Sequence, residues 1–285
     1  MSKIHYTELF YSVQGEGRYM GVPSIFLRTF GCNFRCKNFG RDKGEVIDGP
    51  NPEVAVIIKN IDKYKTFKDL PLVQTGCDTY SSIYTEFKKF VNKADSSDIV
   101  SEILKMLPYG KWKSEHLVIT GGEPLLGWQR AYPDLLSHPD MVGLQELTFE
   151  TNGTQKLEPN FSEYLKTHWR KGWDKLTFSV SPKLRISGEK WADAIKPDVI
   201  REYQEHGYVY LKFVIATPED AEQVKYAEEE YRSAGFSGPV YVMPVGGVES
   251  VYAMNNRNVA NIAMKHGWRY SDRLQVPLFK NEWGT

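Results

Sequence analysis

The sequence predicts an α/β fold in which parallel strands form an open or partial barrel. Short apolar runs rich in β-branched and aromatic residues alternate with segments of helical character, a pattern typical of βαβ units. The runs interpreted as strands span residues 24–30, 116–120, 146–150, 176–180, 208–215 and 240–243. Right-handed crossovers between these strands would curl the sheet toward a barrel.

The predicted helices lie between these strands. They span residues 98–107, 160–169, 190–206 and 218–234. Pro197 makes the third a short or broken helix, because proline removes a backbone hydrogen bond and clashes with the preceding turn. The alternation of the two kinds of segment accounts for most of the chain after residue 90.

Polar or glycine-rich motifs follow four of the predicted strands. They occupy residues 120–124 (TGGEP), 150–154 (ETNGT), 181–183 (SPK) and 243–244 (MP). The carboxyl ends of parallel strands meet at one edge of the sheet, where ligands bind in α/β folds. The sequence therefore predicts a ligand site at that edge.

Composition excludes several classes of function. The chain has 285 residues, a hydrophobic content of 41% and a formal net charge of zero, so no overall charge favours nucleic acid or an anionic membrane. No stretch approaches the roughly 18 apolar residues of a membrane span, and residues 1–10 lack the pattern of a signal peptide. Three cysteines do not make a disulfide framework, which favours a reducing, cytoplasmic location.

The three cysteines are the most informative residues. Cys32 and Cys36 lie four residues apart in a loop that leaves the first predicted strand, whereas Cys77 is distant in sequence. Three thiolates can hold a cubane iron–sulfur cluster by three irons and leave the fourth iron open. On spacing alone, zinc binding and simple burial of the thiols remain alternatives.

Residues 37–76 separate the second cysteine from the third. These 40 residues contain Gly, Pro, Asp and Lys around one apolar piece at 54–58. We interpret them as an insertion, either with little structure of its own or as a small subdomain over the site. The predicted cysteine site requires Cys77 to fold back onto the loop of Cys32 and Cys36.

These motifs together resemble a known family. Cys32-x3-Cys36, Gly121-Gly122-Glu123-Pro124 and the six-unit α/β pattern resemble the radical S-adenosylmethionine (SAM) superfamily. The family is narrowed to 7-carboxy-7-deazaguanine synthases (QueE) by residues 11–17 (YSVQGEG), Arg28, Cys77-Asp78-Thr79 and Ser181-Pro182-Lys183. Many members carry the third cysteine where this chain has Phe39, so the insertion would separate the second and third ligands.

The resemblance implies one radical SAM domain over residues 1–285, with a partial (β/α)6 TIM-like barrel and the insertion at about 37–76. It implies a lyase that converts 6-carboxy-5,6,7,8-tetrahydropterin to 7-carboxy-7-deazaguanine with loss of ammonia, as in queuosine precursor biosynthesis. It also implies a reducing electron donor such as a flavodoxin, and a homodimer. No side chain is predicted to act as a catalytic acid or base.

The resemblance also implies the ligands of each group. The [4Fe-4S] cluster would be held by Cys32, Cys36 and Cys77, and Mg²⁺ by Thr79. SAM would contact Gly76, Asp78, Gly122, Glu123, Ser181, Pro182, Lys183, Met243 and Pro244. The pterin substrate would contact Val13, Gln14, Gly15, Glu16, Arg28, Thr120 and the terminal carboxylate of Thr285.

Some roles also follow from residue chemistry. Arg28 lies on a mostly apolar strand and suits bidentate capture of a carboxylate, although a structural ion pair is the alternative. Glu123 could accept a hydrogen bond from an ammonium group. Two other functions stay open, namely a radical SAM activase acting on a partner protein and a non-catalytic zinc-binding module.

Overall fold

The structure, a computed structural model, describes residues 3–41, 45, 47–169 and 172–285. The strands within these residues are β1 (Ile4–Val13), β2 (Pro23–Thr29), β3 (Asn92–Ala94), β4 (His116–Gly121), β5 (Glu146–Thr151), β6 (Leu176–Val180), β7 (Tyr208–Ile215), β8 (Val240–Pro244) and β9 (Arg269–Tyr270). The helices are α1 (Pro52–Lys59), α2 (Ser96–Met106), α3 (Tyr132–Leu136), α4 (Pro159–Thr167), α5 (Trp191–Ala194), α6 (Pro197–Gln204), α7 (Pro218–Ser233), α8 (Glu249–His266) and α9 (Gln275–Phe279).

The described strands form one open sheet in the order β3-β1-β2-β4-β5-β6-β7-β8-β9. Strands β2 and β4 to β9 run parallel, whereas β1 pairs antiparallel with both β2 and β3. The six predicted strands are β2 and β4 to β8, and the predicted open or partial barrel is confirmed. Their parallel register brings all six carboxyl ends to the same edge.

Burial explains why these six strands could be predicted from the sequence. Leu117, Val118 and Ile119 of β4 are fully buried, as are Phe178 of β6 and Phe213 of β7. Strands covered on both sides are continuously apolar rather than alternating. Such continuous runs are the clearest sequence signal that a parallel sheet produces.

Other elements differ from the prediction. Residues 190–206 form the two helices α5 and α6, and α6 begins at Pro197 as proline chemistry requires. Strand β1 and the 18-residue helix α8 were not predicted. None of the described helices is long and apolar enough to cross a bilayer.

The insertion carries secondary structure and a hydrophobic cluster. Helix α1 begins after Asn51, whose side chain caps the amide of Glu53 at 2.9 Å. We call the buried side chains grouped around this helix the inserted cluster: Val54, Ile57, Leu70, Val73, Tyr80, Ile83, Tyr84 and Phe87. This cluster extends beyond the insertion as far as Phe87, shortly before β3 begins.

Candidate functional site

A single cavity at the carboxyl edge of the sheet brings together nearly all the residues predicted from sequence. Its wall includes the three cysteines, Thr79, Gly76, Asp78, Gly122, Ser181, Lys183, Met243, Pro244, Val13, Gln14, Gly15, Glu16, Arg28, Thr120 and Thr285. They come from β1, β2, β4, β6, β8 and the loops that follow them. The shared carboxyl edge of the parallel strands accounts for the residues that follow β2, β4, β6 and β8.

The two ends of the insertion are joined beside the cysteines. The amide of Gly76 donates to the carbonyl of Phe39 at 2.7 Å. The buried side chain of Asn51 donates to the carbonyl of Lys37 at 3.0 Å and to the hydroxyl of Thr75 at 3.1 Å. These contacts bring Cys77 to the cavity that Cys32 and Cys36 line, despite the intervening residues.

Glu53 strengthens the same junction. Its carboxylate accepts hydrogen bonds from the amides of Gln74 and Thr75, at 2.8 and 2.9 Å. It also accepts one from the hydroxyl of Thr75 at 2.5 Å. Charge-assisted bonds of this kind are stronger than neutral ones. Asn51 and Glu53 together hold the residues just before Cys77 against the start of α1.

The loop of Cys32 and Cys36 lies against the glycines that end β4. The amide of Glu123 donates to the carbonyl of Gly31 at 2.7 Å. A Cβ atom on Gly122 would lie 2.3 Å from that carbonyl oxygen and 2.9 Å from the Cβ of Cys32. Glycine is required at position 122 because the cysteine loop approaches its backbone so closely.

Cys36 has a backbone conformation that is unusual for a cysteine. Its φ is +47°, in the left-handed region. The carboxylate of Glu189 accepts hydrogen bonds from the amides of Arg35 and Cys36, at 2.8 and 2.7 Å. Glu189 therefore holds the loop in the conformation that directs Cys36 into the cavity.

Burial controls the protonation of the three thiols. It raises the pKa of Cys32 to about 12, with a further contribution from the negative charge of Glu123. Burial also raises the pKa of Cys36 and Cys77, the latter aided by Asp78. These thiols are protonated in the absence of a metal. A bound metal ion would stabilise the thiolate form instead, because metal-bound thiols are deprotonated.

The donor set fits an iron–sulfur cluster. Within residues 3–41, 45, 47–169 and 172–285, no group of three or more His, Cys, Asp or Glu side chains is arranged to hold a metal ion. A cubane cluster does not require three ligands around one ion. It requires three thiolates facing a common space, because each thiolate binds a different iron. All three thiols line one cavity, which meets that demand.

Two of the residues predicted to contact SAM do not line the cavity. Glu123 is fully buried and lies outside the cavity wall, so its carboxylate is not placed to accept a hydrogen bond from an ammonium group. It accepts instead from the hydroxyl of Thr151 at 2.7 Å and from the amides of Asn152 and Leu125 at 2.7 and 3.0 Å. Pro182 is also buried outside the wall, between Ser181 and Lys183, which do line it.

A network of charges connects four parts of the chain. Glu16 pairs with Lys212 of β7 and with Arg273, whose Nε lies 3.3 Å from Glu16 Oε1, and Arg273 also pairs with Asp78. Burial alone would raise the pKa of Glu16, but the charges of Lys212 and Arg273 outweigh it and lower the pKa to about 2. Glu16 is therefore ionised and fixed in place.

A second polar group lines the cavity beside this network, where the amide of Glu16 donates to Gln14 Oε1 at 3.0 Å. Gln14 donates to Glu150 at 3.0 Å, and the hydroxyl of Thr120 donates to the same carboxylate at 2.9 Å. Arg28 lies beside Thr120 in the sheet register and pairs through Nε with Glu8 of β1 at 2.7 Å. Carboxylate, amide and guanidinium groups thus face one space, an arrangement suited to a flat, polar, anionic ligand.

The chain is similar in sequence to curated proteins named 7-carboxy-7-deazaguanine synthase. It is 28% identical to the one from Halobacterium salinarum, over 96% of this chain and 90% of the relative. It is 24% identical to the one from Pyrobaculum aerophilum, over 99% of this chain and 97% of the relative. No protein-family model matches the chain.

The chain is thus similar over nearly its full length to proteins named 7-carboxy-7-deazaguanine synthase. Among solved structures it is similar to the crystal structure of QueE from Escherichia coli, with a TM-score of 0.53 and 20% identity. That similarity covers 95% of this chain and 94% of the other. At this level of identity the structural likeness concerns the fold.

Sequence reasoning missed several residues that the cavity includes. Glu8, Glu150, Lys212, Arg273 and Gln275 all line it. Lys212 had a usable signal, since a lysine inside the apolar run at 208–215 requires a buried partner. Glu8 had none, because β1 itself was not predicted. Arg273 and Gln275 reach the site only through the tertiary fold.

Proposed function

We propose that the protein is a radical SAM lyase that converts 6-carboxy-5,6,7,8-tetrahydropterin to 7-carboxy-7-deazaguanine with loss of ammonia. The observation that carries the proposal is the shared cavity, in which three thiols face the same space as Arg28, Gln14 and Glu16. The sequence similarity to proteins of that name supports it over the full length of the chain.

Cys32, Cys36 and Cys77 would hold a [4Fe-4S] cluster. When bound, such a cluster with one open iron binds and reduces SAM, which supplies the radical that starts the reaction. Glu189 and the junction at Gly76 would keep the thiols in position before the cluster arrives. Preorganised ligands lose less conformational freedom on binding.

SAM would lie between the cysteine loop and the ends of β6 and β8. Ser181 and Lys183 line that side, and Lys183 Nζ donates to the Ser181 hydroxyl at 3.0 Å. Lys183 would supply a positive charge for the SAM carboxylate. Gly122 would offer its backbone there, and Met243 and Pro244 would contact the adenine. Gly76 and Asp78 would complete the SAM side.

The pterin would lie on the side of β1 and β2. A guanidinium carries five N–H donors, so the pairing of Arg28 with Glu8 through Nε leaves donors for the substrate carboxylate and fixes their orientation. Gln14 and the ionised Glu16 would bind the polar edge of the ring, with Val13 and Gly15 giving backbone contacts. Thr120 and Thr285 would add contacts at the rim.

Further parts of the proposal rest on the family resemblance. The Thr79 hydroxyl lies 3.3 Å from the sulfur of Cys77 and would be an oxygen ligand of Mg²⁺, with substrate and water as the others. A flavodoxin-like electron donor, a homodimer and a cytoplasmic location complete it. The described cysteines are free thiols, which suits a reducing compartment.

Anaerobic reconstitution with iron and sulfide, followed by turnover of SAM and the pterin, tests the proposal. We expect about four irons per chain, a reducible cluster and formation of 7-carboxy-7-deazaguanine. A cluster that cleaves SAM without this product would contradict the substrate. Stoichiometric zinc without iron would favour the zinc-binding alternative.

The variant Cys77→Ala tests the assignment of the third thiol. We expect it to lose the stable cluster and all product formation, because the two remaining thiolates hold a cubane poorly. Iron content and product yield are measured together, with circular dichroism as the control for folding. A folded Cys77→Ala variant that keeps turning over would exclude Cys77 as a ligand.

A further inference from the structure

The C-terminal residues 281–285 form part of the cavity wall, and they also contact the insertion. Trp283 lines the cavity on one side. On the other side it packs against the inserted cluster, with ring centroids 4.7 Å from Phe67 and 5.9 Å from Tyr80, both edge-on. Its Nε1–H donates to the carbonyl of Leu70 at 2.7 Å.

The path of the chain into this segment is strained. Lys280 and Asn281 follow α9 with φ values of +53° and +57°, in the left-handed region that side chains seldom adopt. Such conformations persist only where the surroundings hold them. Asn281 donates to the carbonyl of Gly247 at 2.8 Å, and Trp283 provides the contact on the insertion side.

The insertion is therefore joined to the site at two places. Its ends are closed at Gly76 and Phe39 beside the cysteines, and its cluster receives Trp283 from the far end of the chain. A segment fixed at both Gly247 and Leu70 cannot move away from the cavity without breaking a hydrogen bond and an aromatic contact. The inserted cluster is thus part of what closes the cavity.

We propose that Trp283 is a positioning residue and that the insertion serves to hold residues 281–285 in the cavity wall, including Thr285, which the proposed function assigns to the pterin. The inference rests on the proposed function, because it assigns the covered space to the pterin. A wall that is already in place costs less conformational entropy when the ligand binds. The contact should therefore act on substrate affinity more than on cluster assembly.

The test compares Trp283→Ala, Phe67→Ala and the double variant. We expect the KM for the pterin to rise about tenfold in each single variant, with kcat changed less than about threefold. Iron content should stay at the wild-type level. The double variant should lose little more than either single one, since both changes remove the same contact.

Two further variants separate positioning from general destabilisation. Trp173 is a matched control, because its Nε1–H donates to the carbonyl of Gln204 at 3.0 Å and its ring meets Tyr208 edge-on at 5.9 Å, outside the cavity wall. Trp173→Ala should leave the KM unchanged. Trp283→Phe keeps an aromatic ring and should recover part of the affinity.

Amide hydrogen exchange gives a readout independent of turnover. The amides of Asn281 and Glu282 are hydrogen-bonded to the carbonyls of Gln275 and Phe279, at 3.2 and 3.1 Å, and should be protected. Phe67→Ala changes nothing within residues 281–285, yet it should reduce their protection. Unchanged protection and an unchanged KM in Phe67→Ala would overturn the inference.

The result also distinguishes this inference from the proposed function. If the wild-type protein forms no product, the proposed function fails while the exchange experiment still decides whether the insertion holds the segment. If the wild type forms product and Phe67→Ala changes neither KM nor exchange, the inference alone fails.

Discussion

The amide of Gly76 donates a 2.7 Å hydrogen bond to the carbonyl of Phe39. The resemblance to 7-carboxy-7-deazaguanine synthases aligns Phe39 with the third cysteine of many of those enzymes, and Gly76 directly precedes Cys77. The bond closes the insertion, so that Cys77 lines the cavity beside the other two thiols. A ligand position displaced along the sequence is thereby recovered in space.

Asn51→Ala should weaken this closure. The change removes the helix cap at Glu53 and the bonds to Lys37 and Thr75, and it leaves buried polar atoms without partners. We expect a loss of about 1–3 kcal/mol of stability and a lower iron content after reconstitution. Asn60→Ala, at the other end of α1, removes only one exposed bond to Val56 and should keep full iron content. Equal iron content in the two variants would contradict the role of Asn51.

Glu189→Ala should impair cluster binding although Glu189 is not a ligand. Without its carboxylate, the amides of Arg35 and Cys36 lose their acceptor and the left-handed conformation of Cys36 loses its support. Glu189→Gln keeps an acceptor oxygen and should bind more iron than Glu189→Ala. Iron and sulfide analysis of both variants, with circular dichroism, checks this order. A full complement of iron in Glu189→Ala would be incompatible with it.

Arg28→Lys should reduce turnover of the pterin. A lysine ammonium cannot bind a carboxylate in two parallel bonds or keep the oriented contact with Glu8. We expect kcat/KM to fall about 100-fold, while iron content stays unchanged. Arg130→Lys is the matched control, since Arg130 pairs with Glu158 through Nε at 3.0 Å on the surface. A value for Arg28→Lys close to that of the control would point to a structural ion pair only.

His116 should make the protein sensitive to mild acid. Burial, with a smaller contribution from the charge of Arg18, lowers its pKa to about 3, whereas an unfolded histidine titrates near 6.5. Between these values the unfolded chain binds the proton and the native state does not, so stability falls as the pH falls from 6.5 toward 3. We expect a loss of about 2 kcal/mol between pH 6.5 and 4.5 from this residue.

Urea unfolding of wild type and His116→Gln at both pH values measures that contribution. The neutral side chain of the variant removes the titration, so its stability should fall less than that of the wild type over this interval. Identical losses in the two proteins would show that His116 does not titrate as described.

Some elements of the fold could be predicted from the sequence because burial alone determines their residue pattern. Strands β2 and β4 to β8 are largely buried on both faces and are therefore rich in apolar residues. Helix α8 was not predicted because few of its 18 residues are buried, which leaves a weak periodic pattern. The buried ones are Tyr252, Val259, Ile262 and Ala263. Its stability comes from packing against β8 and β9.

The residues of the site likewise fall into those that short motifs predicted and those that only the fold revealed. Short motifs such as QGEG, GGEP and CDT allowed many cavity residues to be predicted, because a close backbone approach or a metal ligand requires particular residue types. Lys212, Arg273 and Glu8 were missed because a charge is informative only beside its partner. The carboxylate of Glu123 accepts hydrogen bonds inside the fold, which the motif by itself does not reveal.

The sequence by itself determined the parallel sheet, the edge at which the cavity lies and the residue types that line it. These follow from local composition and periodicity, which act over a few residues. Only the tertiary structure decided that Cys77 joins Cys32 and Cys36, and that Trp283 reaches the insertion. Both depend on contacts between residues far apart in the chain, whose free energy exists only when the whole fold brings the partners together.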